Sequence, residues 1–225
     1  MRPLRALYAS GKPIISFELF PPKNEGGMQS LFEHLQELVN CKPAYITCTY
    51  GAGGSTRERT LEVLSAVRER HPQLPIASHL TCVDNRPDDL RAYIRRAMAI
   101  GVDRIVALRG DPPEGRPDAT PAAGEFRYAS ELVRLLREEF PELGVIVAGY
   151  PETHPEAPST AADLEHLKQK VDAGGDVIIT QLFYENADYF RFRDRCEEIG
   201  ITAPIVPGIL PVTNLTQIRR ISNLC

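Results

Sequence analysis

Glu18 sits in Ser16-Phe-Glu-Leu-Phe-Pro-Pro22, alternating with Phe17 and Leu19, so a strand here sends its carboxyl to the face opposite theirs. In the mouth of a barrel, desolvation would raise its pKa and make it a general acid near neutrality. A carboxylate satisfied by backbone or by a neighbouring arginine would read the same way. Arg109 and Asp111 in Ile105-Val-Ala-Leu-Arg-Gly-Asp111 need each other or a ligand if a buried strand delivers them. The segment 112–126 that follows is long for a βα connection and rich in proline, glycine and small residues, as binding loops often are.

Five further groups could do chemistry. Thr49-Tyr-Gly-Ala-Gly-Gly-Ser55 suits an anion at a helix amino terminus or a tight turn, and lacks the Gly-Lys-Ser/Thr ending of a Walker loop. His79, after Ser78, could donate to a ligand carbonyl or satisfy a core backbone group. Tyr150-Pro-Glu-Thr-His154-Pro-Glu-Ala157 holds an aromatic ring and an imidazole on backbone stiffened by two prolines, a ligand support or a rigid connector. Gln181 ends the apolar run of Ile178-Ile-Thr-Gln-Leu-Phe-Tyr184, where its amide needs partners for donors and acceptor alike. Internal bonding or a heterocycle with both kinds of edge would serve. Asp163 and Lys170 fall two turns apart on one helix face, a pattern that solvated charges also give.

The elements that must position these residues recur about every 30 residues, the length of a βα unit. Seven apolar runs, at 14–20, 45–50, 76–82, 105–111, 145–150, 177–181 and 205–210, alternate with helical patterns. Helices are expected over 28–39, from Ser55 with Glu58 as a capping box, from Pro87 to Gly101, over about 128–140, 160–174 and 186–200, and from about Asn214. Strict alternation argues for parallel strands joined by right-handed crossovers. The expected fold is a (βα)8 TIM-type barrel. An open doubly wound sheet is the alternative, though no glycine-rich dinucleotide fingerprint follows the first strand. No eighth unit follows the seventh helix, so residues 1–225 are expected to form a single barrel domain lacking its final βα unit.

Composition narrows the classes. The chain has 225 residues, 26 basic and 30 acidic, without the basic excess of a nucleic-acid footprint. No apolar run reaches the 18 or so residues of a membrane span, and the first residues lack a signal-peptide core, which predicts a cytoplasmic protein that uses neither membrane nor nucleic acid. Five cysteines show no C-x-x-C pair and read as reduced thiols. A metal site built from His79, Cys82 and His154 would lack zinc-like spacing.

In order and spacing, FELFPP, TYGAGGSTRERT, HLTC, ALRGD, GYPETHPEA, DAGGD with ITQLFY, and PGILPV resemble the methylenetetrahydrofolate reductase family, bacterial type. The resemblance covers nearly the whole chain. It implies a barrel holding FAD, reduced by NADH or NADPH, that converts 5,10-methylenetetrahydrofolate to 5-methyltetrahydrofolate in one-carbon metabolism and methionine biosynthesis. Glu18 then matches the family's general acid. Asp111 matches an aspartate at the flavin and the pterin, whose charge would strengthen the flavin as a reductant and favour a cationic folate. Gln181 and Gln217 match substrate contacts. Thr49, Tyr50, His79, Arg109, Gly110, Asp111, Tyr128, Ala129, Tyr150, His154, Ala157, Asp163, His166, Gln169 and Lys170 match FAD contacts. Homo-oligomerisation is left open, and the missing eighth unit offers a second reading, a flavin- or folate-binding fragment without turnover.

Overall fold

A computed structural model describes residues 4–50, 57–83, 85–110, 125–212 and 214–222. Seven strands, β1 (Ser16–Leu19), β2 (Tyr45–Cys48), β3 (Ile76–Thr81), β4 (Val102–Leu108), β5 (Gly144–Gly149), β6 (Val177–Thr180) and β7 (Ile205–Val206), lie side by side in chain order. Every pairing is parallel. The helices between them are α2 (Glu25–Asn40), α3 (Arg57–Arg70), α4 (Pro87–Ile100), α5 (Ala129–Glu139), α6 (Thr160–Asp172) and α7 (Asn186–Glu198), with α1 (Leu4–Leu7) before β1 and α8 (Leu215–Ser222) after β7. The curled sheet is therefore seven-eighths of a barrel among the described residues, as the count of apolar runs predicts.

Alternation along each strand creates two cores. Ile46, Cys48, Ile76, Leu80, Ile105, Val145, Val147 and Ile178 face the helices. Tyr45, Ala77, Val106, Ile146 and Val177 face the barrel interior, and Leu4 of α1 joins them from below. Local signals set the helix ends. Asn24 and Ser159 cap α2 and α6 by accepting from Gly27 N at 2.9 Å and Ala162 N at 3.2 Å. Gly101 ends α4 with φ 94, a left-handed cap that glycine adopts without a Cβ penalty.

The structure departs from the sequence expectations in three places. Strand β4 starts at Val102 rather than at 105, because the polar pair that masks its first turn, Asp103 and Arg104, is neutralised in place at 2.6 Å with both side chains largely buried. Strand β7 holds two residues rather than six. Pro207 has no N–H for a ladder, and Gly208 N donates to Thr180 Oγ1 at 3.0 Å instead. The helix α1 carried no readable signal, since four residues are too few to show a period. The expected capping box falls on Ser55, outside the described residues; Glu58 places its two carboxylate oxygens on Arg96 of α4, at 2.8 and 2.5 Å.

Candidate functional site

The carboxyl ends of β1 to β6 open into a cleft of about 900 Å³. Alternation delivers its floor: Glu18 points inward because Phe17 and Leu19 pack outward against the helix layer. On the same logic β3 contributes His79 and Thr81, β5 leads to Tyr150 and β6 to Gln181, while Arg109, Gly110 and Thr180 also line the cleft at the strand ends.

Glu18 lines the cleft and keeps 42% of its side chain accessible. Its carboxyl is pushed above the ordinary glutamate range by desolvation. His79 Nε2 lies 3.5 Å from Glu18 Oε2, at the outer limit of hydrogen-bond distance. Burial pushes the imidazole down to about 4, so the ring is neutral at neutral pH and the contact is no ion pair.

The cations are arranged differently. Arg109 meets Glu156 through both terminal nitrogens, at 2.5 and 2.7 Å, a bidentate fork between the end of β4 and the loop after β5. Lys170 of α6 turns inward and donates to Ala148 O at 2.6 Å; desolvation lowers its pKa to about 8 against the opposing pull of Asp163. Asp163 accepts from His154 N at 3.0 Å and so fastens the proline-flanked loop to α6. That loop is shaped further by Thr153 with φ 80 and by Glu156 N donating to His154 Nδ1 at 3.1 Å. Tyr150 and His154 meet edge to face, 4.6 Å between ring centroids. The helix pattern of Asp163 and Lys170 thus belongs to an inward face rather than to solvent.

At the rim Tyr128, 57% exposed at the start of α5, lies nearly parallel to His166 of α6 with centroids 6.4 Å apart. Ala129, Ala157 and Gln169 complete that wall. Gly110 has φ 87, and a Cβ there would stand 2.9 Å from Thr81 Cβ, so the turn at the end of β4 admits glycine alone without strain. Gln181 uses its Oε1 to accept from Leu182 N at 2.9 Å, and its NH2 has no protein partner among the described residues.

The cleft thus gathers Glu18, Tyr50, His79, Arg109, Gly110, Tyr128, Ala129, Tyr150, His154, Ala157, Asp163, His166, Gln169, Lys170 and Gln181 from six strand ends. Thr49 stands beside it, its carbonyl accepting from Thr60 Oγ1 at 2.8 Å. Asp111 lies outside the described residues. Gln217 is on α8, and its side chain is likewise outside them. Sequence reasoning missed Glu156, Thr81 and Thr180. Glu156 sits inside a motif already singled out, but nothing in a linear pattern pairs it with Arg109.

A parallel βα-barrel sheet whose strand ends carry one raised carboxyl, two inward cations and an underused amide defines a barrel protein with a site for a polar, extended ligand. The profile of the family described as Methylenetetrahydrofolate reductase matches residues 3–225, and the chain belongs to that family. It is 43% identical over 216 residues to the 5,10-methylenetetrahydrofolate reductase of Escherichia coli (strain K12), covering 95% of this chain and 70% of that one. It is 40% identical over 227 residues to a probable methylenetetrahydrofolate reductase (NADH) of Oryza sativa subsp. japonica, covering 96% of this chain and 38% of that one. Among solved structures, an uncharacterised Clostridium thermocellum protein that binds two copies of 5-methyl-5,6,7,8-tetrahydrofolic acid superposes with a TM-score of 0.67 at 14% identity, over 98% of this chain and 73% of that one. That likeness supports the fold.

Proposed function

We propose that this protein reduces 5,10-methylenetetrahydrofolate to 5-methyltetrahydrofolate, using FAD and either NADH or NADPH. The observation that carries the reading is Glu18: in a chain of this family, a carboxyl whose pKa is raised by desolvation stands at the floor of the cleft, where a general acid for the folate is required.

The residues present suit FAD. Arg109 and Lys170 offer cationic groups to a pyrophosphate, Gly110 lets backbone approach closely, Tyr128 and His166 form a rim on which a flat ring can stack, and Tyr50, His79, Tyr150 and His154 line the walls between. When bound, FAD supplies a hydride store that allows nicotinamide and folate to react in turn, a ping-pong relay.

The chain's own residues then act on the folate. Glu18 gives its proton to the folate nitrogen released as the five-membered ring opens, which leaves the methylene carbon as a cationic iminium ready to accept hydride. Gln181 offers its spare NH2 to a pterin acceptor, and Gln217 is assigned a further contact. Asp111 is assigned the fixed negative charge that favours the iminium. Thr49 and Ala157 shape the edges of the flavin site, with Ala129, Asp163 and Gln169 on the α5 and α6 side.

The test is spectroscopic. Purified protein should take up FAD with the absorbance of a bound flavin, bleach with NADH or NADPH, and recover colour when 5,10-methylenetetrahydrofolate is added. Protein that stays colourless with added FAD overturns the reading, and protein that binds FAD and folate but never exchanges hydride leaves a binding module in its place.

A further inference from the structure

Three polar side chains share one corner of the barrel interior below the cleft. Glu18 of β1 and Thr47 of β2 are register neighbours, and His79 of β3 brings its Nε2 to 3.5 Å from Glu18 Oε2. Thr47 is 2% exposed, and its Oγ1, like His79 Nε2, is buried with no hydrogen-bond partner among the described residues. Buried polar atoms are nearly always satisfied, so two orphans beside one carboxyl ask for an account.

The other charged groups of the mouth are engaged elsewhere: Arg109 on Glu156, Lys170 on Ala148 O, Asp163 on His154 N. Glu18 is the register neighbour of Thr47 and stands 3.5 Å from His79. A carboxylic acid carries one O–H donor and one carbonyl acceptor, which matches an unprotonated ring nitrogen on one side and a hydroxyl donor on the other. A carboxylate only accepts, and would require His79 to carry its proton on Nε2. The apolar stack directly below, with Tyr45, Val106 and Ile146, favours the uncharged arrangement.

We propose that His79 and Thr47 are positioning residues for Glu18: His79 Nε2 accepts the carboxylic O–H, and Thr47 Oγ1 donates to the carbonyl oxygen. The two contacts keep the acid loaded and fix its rotamer at the floor of the cleft. When a folate nitrogen arrives, the Glu18 O–H bond breaks and an N–H bond forms on the folate, and the carboxylate left behind keeps the Thr47 hydrogen bond. His79 takes no proton in this step. The catalytic meaning rests on the reading of Glu18 as proton donor; the contacts themselves do not.

Nitrogen NMR of the whole protein labelled in its five histidines tests the contact without any ligand. With the His79 signals assigned by His79→Gln, neutral pH should show the Nδ1–H tautomer, with a hydrogen-bonded Nε2 resonance that moves toward the unbonded position in Glu18→Ala and by less in Thr47→Val. An Nε2–H tautomer, an imidazolium, or an Nε2 resonance indifferent to Glu18→Ala overturns the proposal. In stopped flow, the near-isosteric Thr47→Val should slow the folate half-reaction by about tenfold and leave nicotinamide oxidation unchanged. Equal slowing of both halves contradicts a positioning role. A wild-type protein inert toward folate would sink the proposed function, while the tautomer would still decide the contact.

Discussion

The two ends of the barrel are built from the same alternation and finished in opposite ways. At the amino-terminal end Leu4 drops into the interior against Tyr45, Ala77, Val106, Ile146 and Val177. The polar groups there answer one another: Tyr8 and Tyr45 share a hydroxyl contact at 3.1 Å, and Arg104 lies over the Tyr45 ring at 5.2 Å while pairing with Asp103. At the carboxyl-terminal end the interior is left open, with a neutral imidazole, a raised carboxyl and a lysine brought down to about 8. One end is closed by the chain's own first helix and serves stability. The other keeps groups at altered protonation around a cleft, where barrel enzymes place their chemistry.

If that division holds, a change at the open end should cost activity and little stability. Glu18→Gln is the largest such change, with the folate half-reaction expected to fall by about 10²–10⁴-fold and nicotinamide oxidation to continue, read separately by stopped flow. Because the protonated acid is the active form, the wild-type folate rate should also decline as pH rises through the raised Glu18 pKa.

The converse cut is at the closed end. Leu4→Ala should cost about 2–5 kcal/mol in urea unfolding, since it empties a site that is 5% exposed, while flavin affinity stays within about twofold. A large loss of flavin affinity with intact stability would erase the distinction between the two ends.

His79 links both properties. Its ring protonates at about 4 in the folded protein and at about 6.5 in the unfolded chain, so the unfolded state takes up the proton first as pH falls. Stability should therefore decline between about pH 6.5 and 4, by about 3 kcal/mol from this group, and His79→Gln should flatten that part of the curve in denaturant titrations at several pH values. Identical slopes in the two proteins would show that the ring is not held neutral.

The smallest expected effect is at Gly110, where φ 87 and the nearby Thr81 resist any Cβ. Gly110→Ala should cost about 1–2 kcal/mol and loosen flavin binding, measured by thermal unfolding and by flavin fluorescence titration.

Much of this was legible in the chain because it depends on short-range periodicity. Phe17 and Leu19 flanking Glu18 send its carboxyl to the face opposite theirs, and the spacing of Asp163 and Lys170 dictates a shared helix face. Pro87 and Gly101 mark α4 because each meets a backbone requirement other residues meet poorly. What escaped notice depends on partners distant in sequence. Asp103 and Arg104 read as polar until their mutual neutralisation is seen, four residues of α1 carry no period, and Glu156 becomes a site residue only through Arg109, 47 positions earlier.

The sequence by itself determined seven βα repeats, the parallel order they impose and the residue types at the strand ends, since alternation and helix capping are properties of neighbours along the chain. Only the tertiary structure decided that Glu18, Thr47 and His79 meet in one corner, that Lys170 is desolvated, and that Leu4 rather than a ligand closes the far end. Those facts arise from which strands lie adjacent and what water is excluded between them, and protonation follows from that exclusion rather than from the identity of the residue.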